Sequence, residues 1–495
     1  MPIRLAAPGR DAIPSIIQGG MGIGISRFEL AGAVGLAGGL GVVSGVALDT
    51  LLTRRLADGD PGCLLRRAAG CFPFPGLADR LLGQYMTAKK PSTSQRYRAL
   101  PPLTLRPSAD RQRLSVLAAF VEVFLAKQAA EGGLVGINLL EKLQMETPAA
   151  AYGAMLAGVD VVLVGAGIPS RLPGLLDLLA DHRRVNFPVD VEQSAGSRHG
   201  VALDPEKLFG SELPRIRRPS FLAIVSSHTL AAYLARDGTT RPDGFVVEGS
   251  VAGGHNAPPR GPLQLDERGS PIYGPRDEAD IDRLRALELP FWVAGARSTP
   301  RRLEEALSEG ASGVQVGTLF ALAEESGLDP SIRCRLLETI RHGTLAVDTD
   351  PRASPTGYPF KIAQMTGTLA DRSVYQARQR LCDLGYLRVP YLTVGGGIGY
   401  RCAAEPIGAF VRKGGERTQT VGRMCLCNGL MATAGFPQRR RAGAEVPVVT
   451  LGADLSGASE LLRRHPGGWR ARDVITYLTK KDRSAEAQSE SLSAL

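Results

Sequence analysis

The sequence predicts an α/β protein built on a (β/α)8 TIM barrel, with a long insertion after strand 2 and an irregular C-terminal extension. Short β-branched runs that end in glycine recur and alternate with helical patterns, which is typical of βα units and a parallel sheet. There are eight such runs, and this number fits a closed barrel better than an open doubly wound sheet. At 495 residues, 44% of them hydrophobic, the chain can bury a large core, which excludes a wholly disordered protein.

The predicted strands occupy the first 318 residues. They lie at 15–21, 40–45, 134–140, 160–167, 221–227, 244–249, 291–296 and 313–318. Apolar residues at three and four spacing predict helices between them. These helices are expected at 27–37, 148–157, 228–236, 300–308 and 330–341.

Two stretches are longer than ordinary barrel loops and are expected to cover something. Residues 47–130 combine helical patterns with a Pro-rich bend, and residues 182–219 predict a further strand at 184–191 outside the barrel. We therefore divide the chain into a barrel at 1–345, with insertions at about 47–130 and 182–219, and an extension at 346–495 packed on it. The extension has a final helical pattern at 473–480 and a polar end at 482–495, which we expect to be frayed.

The formal net charge is +10, and the basic residues are scattered along the chain. The densest runs, at 214–218 and 439–441, lack the interleaved aromatic residues of a nucleic-acid stacking surface, so no nucleic acid is predicted. No stretch reaches 18 apolar residues, and the N-terminus has no apolar signal segment. We therefore predict a cytoplasmic protein that does not bind a membrane.

Seven cysteines without an export signal favour reduced thiols over a disulfide framework. Four of them, Cys382, Cys402, Cys425 and Cys427, fall in the extension. Structural zinc usually shows two C-x₂₋₄-C pairs, and this spacing does not provide them. Buried, reduced thiols are the prediction, and no metal ligand is assigned; the alternative is an extension that acts as a metal or partner-docking module.

A barrel places its active site at the carboxyl ends of the strands, so the residues after each run are the candidates. Gly20, Met21 and Gly22 follow the first run. Glycine lets a planar ligand approach the backbone closely, although a plain tight turn would use the same residues. The glycine-rich stretch at 32–41 precedes a strand instead of a helix, which excludes a dinucleotide fingerprint.

The seventh and eighth runs end in turns that predict a phosphate site. Gly295 and Ala296 follow one, Gly317 and Thr318 follow the other, and each turn precedes a helical pattern. Backbone N–H groups and helix N-termini at these two positions commonly bind phosphate in barrels.

The segment EGSVAGGHNAP, residues 248–258, carries the most chemistry. Gly253 and Gly254 allow a cofactor to approach the backbone, and His255 is the candidate general base, the alternative being a structural histidine. Asn138 and Gln315 offer amides that can bond the edge of a heteroaromatic ring, or they are satisfied core groups. Glu141 and Lys142 are expected to form a surface pair.

Taken in order, PSIIQGGMGIGIS, LAGAVGLAGGLGVVSG, GINLL, EGSVAGGHN and VAGARSTPRRLEEALSEGASGVQVGT resemble the nitronate monooxygenase family, formerly called 2-nitropropane dioxygenases. The resemblance covers roughly residues 14–330. It implies an FMN-binding TIM barrel in which His255 takes the α-proton of a nitroalkane, and the products are a carbonyl compound and nitrite. It also implies flavin contacts for the residues that match its motifs: Gly20, Met21, Gly22, Asn138, Gly253, Gly254, Gly295, Gly317 and Thr318. Related flavin barrels include the stand-alone enoyl reductases of polyketide and polyunsaturated fatty-acid synthesis.

The chain departs from the family where Gly20 and Val251 replace its usual Pro and Glu, and in the long loop after His255. That loop carries Arg260 and Tyr273, which would form a lid or an anion grip, or lie on a simple surface excursion. We expect an FMN-dependent oxidoreductase that oxidises a nitronate, a nitroalkane or a related carbon acid with O2. The alternative is an FMN-dependent enoyl reductase that uses NAD(P)H on acyl thioesters. A flavin-free isomerase or aldolase and a homodimer are left open.

Overall fold

The computed structural model describes residues 12–86, 96–194, 197–440 and 443–480. Its central sheet contains the eight predicted strands. They are β1 (Ile16–Gln18), β2 (Gly41–Ser44), β3 (Val135–Leu140), β4 (Val161–Gly165), β5 (Ser220–Val225), β6 (Gly244–Glu248), β7 (Phe291–Ala294) and β8 (Gly313–Val316).

All pairings in this sheet are parallel, in the order β1-β8-β7-β6-β5-β4-β3-β2. A bridge between Ile17 and Leu40 joins β1 to the start of β2, with Leu40 N donating to Ile16 O at 3.0 Å. The sheet therefore closes on itself, which confirms the predicted TIM barrel.

The barrel interior is filled by side chains from alternate positions of its strands, as a packed barrel requires. The cluster includes Ile17, Val42, Leu163, Ile224 and Trp292, all buried. The indole Nε1 of Trp292 donates to Pro14 O at 2.9 Å, so the polar atom of this large side chain is satisfied.

Helices surround the barrel, and several begin at the caps that the sequence provides. Thr299 accepts from Arg302 N and precedes Pro300 at the first helical position, a favoured start. The helices of the ring are Phe28–Leu36, Ala109–Ala129, Thr147–Leu156, Leu172–Ala180, His228–Ala235, Ile281–Arg285, Pro300–Ser308, Thr318–Ala321 and Pro330–Arg341. The stretch predicted as one long insertion thus ends in a helix of the barrel ring, Ala109–Ala129.

The remainder of the first insertion forms the helices Leu48–Ala57, Leu64–Gly70 and Leu77–Leu82. In the second insertion, Val185–Val189 pairs antiparallel with His199–Leu203, outside the barrel, and the helix Pro205–Phe209 follows. Single 3₁₀ turns occur at Pro61–Cys63, Glu141–Leu143, Pro275–Asp277 and Arg417–Thr420.

The extension is built from three antiparallel strand pairs and five helices among the described residues. The pairs are Val347–Asp350 with Phe360–Ala363, Val389–Leu392 with Ile398–Arg401, and Arg439–Arg440 with Gly443–Ala444. The helices are Arg372–Ala377, Ile407–Arg412, Leu426–Thr433, Ser456–Arg464 and Ala471–Thr479. The polar end at 482–495 lies outside the described residues.

The extension contacts the carboxyl end of the barrel directly. Gly452 N donates to Thr318 Oγ1 at 3.0 Å, and Trp469 Nε1 donates to Leu319 O at 2.8 Å. The extension therefore covers the strand ends where a barrel binds its ligands.

A buried polar cluster ties the first insertion to the extension. The Asp49 carboxylate bonds Arg111, Ser115 and Tyr386, and the Thr50 hydroxyl lies 2.6 Å from that of Tyr386. Burial acts to raise the pKa of Asp49, but Arg111 and these hydrogen bonds outweigh it and hold the pKa below its ordinary value.

Cys402, Cys425 and Cys427 are buried, and all cysteines of the described residues are free thiols. Within that part of the chain, no group of three or more His, Cys, Asp or Glu side chains is arranged to hold a metal ion. No helix in the described ranges is long and apolar enough to cross a membrane.

Candidate active site

A cavity of about 440 Å³ opens at the carboxyl ends of the barrel strands. The structure brings every predicted site residue to its wall: Gly20, Met21, Gly22, Asn138, Gly253, Gly254, His255, Gly295, Ala296, Gln315, Gly317 and Thr318. The other wall comes from the extension, which contributes Tyr358, Leu387, Leu430 and Gly452 among others. A candidate active site is therefore shared between the barrel and the extension.

The turn after β1 is held against Asn138 of β3. The Asn138 amide Nδ2 donates to Gly20 O at 2.9 Å, and a Cβ built on Gly20 would lie 2.3 Å from the Cβ of Asn138. Only glycine permits this approach. The contact fixes the amide so that its Oδ1 is buried without a hydrogen-bond partner in the described residues, as is the Oε1 of Gln315. Two unpaired acceptors in a cavity indicate a ligand that donates hydrogen bonds.

The turns after β7 and β8 form the candidate phosphate site. Gly295 and Ala296 have φ values of +88° and +51°. Ala296 is therefore held in the left-handed region, which residues other than glycine rarely adopt. Thr318 accepts from Gly452 N, which links the turn after β8 to the extension. The helix that starts at Thr318 has only four residues, so its dipole is small. A phosphate at this turn would therefore be bound mainly by backbone N–H groups.

His255 is held in place by the extension. Its Nε2 lies 2.7 Å from the hydroxyl of the fully buried Ser354, and its ring contacts that of Phe360 edge to face at 4.9 Å between centroids. Gly254 N donates to Thr450 Oγ1 at 2.9 Å. Since Nε2 is engaged, Nδ1 is the ring nitrogen left for a ligand.

Burial, with the nearby charge of Lys142, lowers the pKa of His255 to about 3. The ring is therefore neutral at physiological pH. Because so weak a base accepts a proton poorly, this environment favours a hydrogen-bonding role over the predicted general-base role.

The prediction that Glu141 and Lys142 form a surface pair is wrong. Glu141 is only 8% exposed, and burial raises its pKa to about 7. The Lys142 ammonium lies 3.2 Å from the centroid of the Tyr358 ring and is buried without a hydrogen-bond partner in the described residues. The extension covers this segment, and a local sequence pattern does not reveal such a contact.

Sequence reasoning also missed Glu248, the last residue of β6. Burial raises its pKa to about 7 against the opposing charges of Lys361 and Lys142. The rule that strand-end residues carry function could have identified Glu248 and Lys142. It could not have identified Ser354, Tyr358 or Thr450, which lie in the extension.

The long loop after His255 folds onto itself. Tyr273 donates to Ala257 O at 3.1 Å, and Arg260 donates to Arg276 O at 2.7 Å. These bonds stabilise the loop, and they favour the surface excursion over the alternative of an anion grip.

The fold and the family comparison define the class: this chain is a flavin-dependent oxidoreductase on a TIM barrel. A family model described as nitronate monooxygenase matches residues 218–350, which run from β5 through His255 to the first strand of the extension. This match confirms the resemblance predicted from the sequence motifs.

Three solved structures illustrate what this chain is similar to. FabK from Thermotoga maritima is 15% identical, with 97% of this chain and 96% of that chain covered and a TM-score of 0.46. The enoyl reductase domain of MlnA from the macrolactin biosynthesis cluster of Bacillus amyloliquefaciens is 12% identical, with 97% and 96% covered and a TM-score of 0.48. Nitroalkane oxidase from Streptomyces ansochromogenes is 14% identical, with 96% and 97% covered and a TM-score of 0.42.

These identities and TM-scores are too low to carry an argument about substrate. No curated protein matches the chain in sequence.

Proposed function

We propose that the cavity binds FMN. The unpaired oxygens of Asn138 and Gln315 suit the N–H group at the edge of a flavin ring, because each is a fixed acceptor that lacks a donor. The turns at Gly295 and Gly317 supply backbone N–H groups for the phosphate, at the place where barrels commonly bind one. When bound, FMN supplies the electron-transfer chemistry that protein side chains lack.

We further propose that the enzyme oxidises a nitronate, or a related carbon acid, with O2. In balance, two nitronate ions and one O2 give two carbonyl compounds and two nitrite ions. The observation that carries the proposal is that His255 opens on the same cavity as the two unpaired amide oxygens. His255, neutral and held at Nε2 by Ser354, would offer Nδ1 as a hydrogen-bonding group to the substrate.

An absorbance spectrum and two anaerobic additions test this proposal. The purified protein should show flavin bands, and the nitronate of 2-nitropropane should bleach them without NADPH. Admission of air should then yield nitrite. Failure to retain or take up FMN contradicts the cofactor proposal, and flavin that the nitronate leaves oxidised contradicts the substrate proposal.

A second candidate is an FMN-dependent enoyl reductase that uses NAD(P)H on acyl thioesters. The observation that favours it is an apolar wall on the extension side of the cavity, where Leu387, Leu426 and Leu430 share the lining with Ile23 and Ile25. Such a wall would bind a hydrocarbon chain. Rapid bleaching by NADPH, with none by nitronate, would establish this candidate over the first.

We also propose that the extension, 346–495, is part of the functional unit with the barrel at 1–345. Ser354 and Thr450 of the extension bond His255 and its neighbour Gly254. A chain truncated at residue 345 should therefore lose FMN binding. A soluble truncated barrel that keeps flavin and activity would contradict this. A cytoplasmic location and a homodimer remain proposals, which cell fractionation and light scattering would test.

A further inference from the structure

Lys142 is a partly buried residue whose ammonium nitrogen is buried without a hydrogen-bonding partner among the described residues. It follows the end of β3, and its Nζ is shielded from solvent at the wall of the cavity. An ammonium group has three donors, and burying it unpaired is costly. The face of the Tyr358 ring, 3.2 Å away, offsets part of this cost through a cation–π contact and leaves the donors unused.

The position of Lys142 separates it from the flavin-binding groups. Asn138, whose Oδ1 suits a flavin edge, lies inside β3, whereas Lys142 lies beyond the end of that strand and against the extension. His255, held by Ser354, also lines this cavity. Lys142 and His255 influence each other electrostatically, because the charge of Lys142 contributes to the low pKa of His255. Lys142 and His255 therefore belong to the wall of the same cavity.

Lys142 interacts electrostatically with Glu248 and His255, and Glu248 also interacts with Lys361. Glu248 lies at the end of β6, and Lys361 lies in the extension strand Phe360–Ala363, where Asp348 also acts on it. His255 is neutral, and the ring of Tyr358 offers an aromatic face. Lys361 thus has a second carboxylate partner, Asp348, whereas Glu248 is the carboxylate that acts on Lys142. Because the hydrogen-bond donors of Lys142 stay unfilled, this end of the cavity suits a ligand with a negatively charged acceptor.

We propose that Lys142 is a substrate-binding residue that donates hydrogen bonds to the negatively charged oxygen of the substrate, with Tyr358 holding its ammonium group in place. This inference rests on the proposed oxidation of a nitronate, whose two oxygens share the negative charge. The same group would bind the oxygen of an enolate if the chain is a reductase. The substrate class is therefore a small carbon acid in its anionic form.

The test measures binding of an unreactive anion to the FMN-loaded enzyme. Isobutyrate has the shape and charge of the nitronate of 2-nitropropane but cannot be oxidised in the same way, and isobutyramide is its neutral counterpart. Binding of each is followed by the change in the flavin absorbance spectrum. The variants are Lys142→Met, Lys142→Arg and Tyr358→Leu, and the control is Lys207→Met on an exposed helix of the second insertion.

For Lys142→Met we expect the dissociation constant of isobutyrate to rise about 10- to 100-fold, as for loss of a charge-assisted hydrogen bond. The constants for isobutyramide and FMN should stay within about twofold. Lys142→Arg should keep most of the anion affinity. Tyr358→Leu should weaken isobutyrate binding by less than Lys142→Met, and Lys207→Met should leave all three constants unchanged.

The pH profile supplies a second readout. Burial lowers the pKa of Lys142 to about 7 and raises that of Glu248 to about 7. As the pH rises through this range, Lys142 loses its positive charge and Glu248 gains a negative one, so both changes weaken anion binding. Isobutyrate affinity of the unmodified enzyme should fall from about pH 6 to about pH 9, and Lys142→Arg should reduce this dependence.

The proposal is overturned if the unmodified enzyme does not bind isobutyrate, or if Lys142→Met binds it as well as the unmodified enzyme does. It is also overturned if Lys142→Met loses FMN while anion binding to the loaded fraction is kept, which would assign Lys142 to the cofactor. An enzyme that binds isobutyrate through Lys142 but does not oxidise nitronates would contradict the proposed function alone.

Discussion

The contact between Gly20 and Asn138 makes Gly20→Ala the most informative single substitution. The new methyl carbon would stand 2.3 Å from the Cβ of Asn138, far inside van der Waals contact. Overpacking of this kind costs about 1–3 kcal/mol. Displacing the amide also breaks its 2.9 Å hydrogen bond to Gly20 O, which costs about 1 kcal/mol more. Replacing glycine returns about 0.4–1 kcal/mol through the unfolded chain.

We therefore expect Gly20→Ala to lower the free energy of unfolding by about 1–3 kcal/mol. If the displaced amide no longer meets the flavin, FMN affinity should fall about tenfold or more, since each factor of ten corresponds to about 1.4 kcal/mol. Urea unfolding of the apoprotein and fluorescence titration with FMN measure the two effects separately. Gly174→Ala is the matched control, because no neighbouring atom lies within 4 Å of its added Cβ.

A double-mutant cycle identifies the clash as the cause. Asn138→Gly removes the Cβ that the new methyl group meets, so Gly20→Ala should be tolerated in that background. The stability effects should then be non-additive by about 1–3 kcal/mol. Additive effects, or a Gly20→Ala protein with unchanged stability and FMN affinity, would refute the reasoning.

Three further substitutions test the site and its support. Ser354→Ala should lower turnover about tenfold with FMN content unchanged, because His255 loses its hydrogen bond. An equal loss in the exposed control Ser211→Ala would count against this. Thr318→Val should raise the FMN dissociation constant about tenfold, because Gly452 N loses its acceptor, and an unchanged titration would contradict the role of this turn. Asp49→Asn should lower the free energy of unfolding in urea by about 3–5 kcal/mol, because it removes the carboxylate that forms an ion pair with the buried Arg111. A loss under about 1 kcal/mol would be inconsistent with that ion pair.

The sequence predicted the barrel because its signals are local. Each strand is a short β-branched run that ends near glycine, and each is followed by a turn or helix. Once eight consecutive strands are parallel, their carboxyl ends must lie on one rim, so residues as distant as Gly20, Asn138 and Gly317 were expected to meet. Their gathering around one cavity follows from topology and does not depend on details of packing.

The environment of those residues could not be predicted in the same way. His255 was identified from its position after β6, but its low pKa comes from burial under the extension and from Lys142. The sequence suggested that Lys142 forms a surface pair, whereas in the structure Tyr358 covers its ammonium group. The polar bonds from Ser354 and Thr450 likewise join segments that are far apart in the chain.

The sequence by itself thus determined the barrel, its rim and the residue types that line the site. Only the tertiary structure decided which of these groups are buried, which are charged and which remain unpaired. The physical reason is that strand and turn preferences act over a few residues, whereas desolvation and hydrogen bonding depend on every segment that packs against a group. In this chain the deciding segment is the extension, which lacks the repeating strand–helix pattern that places the barrel elements.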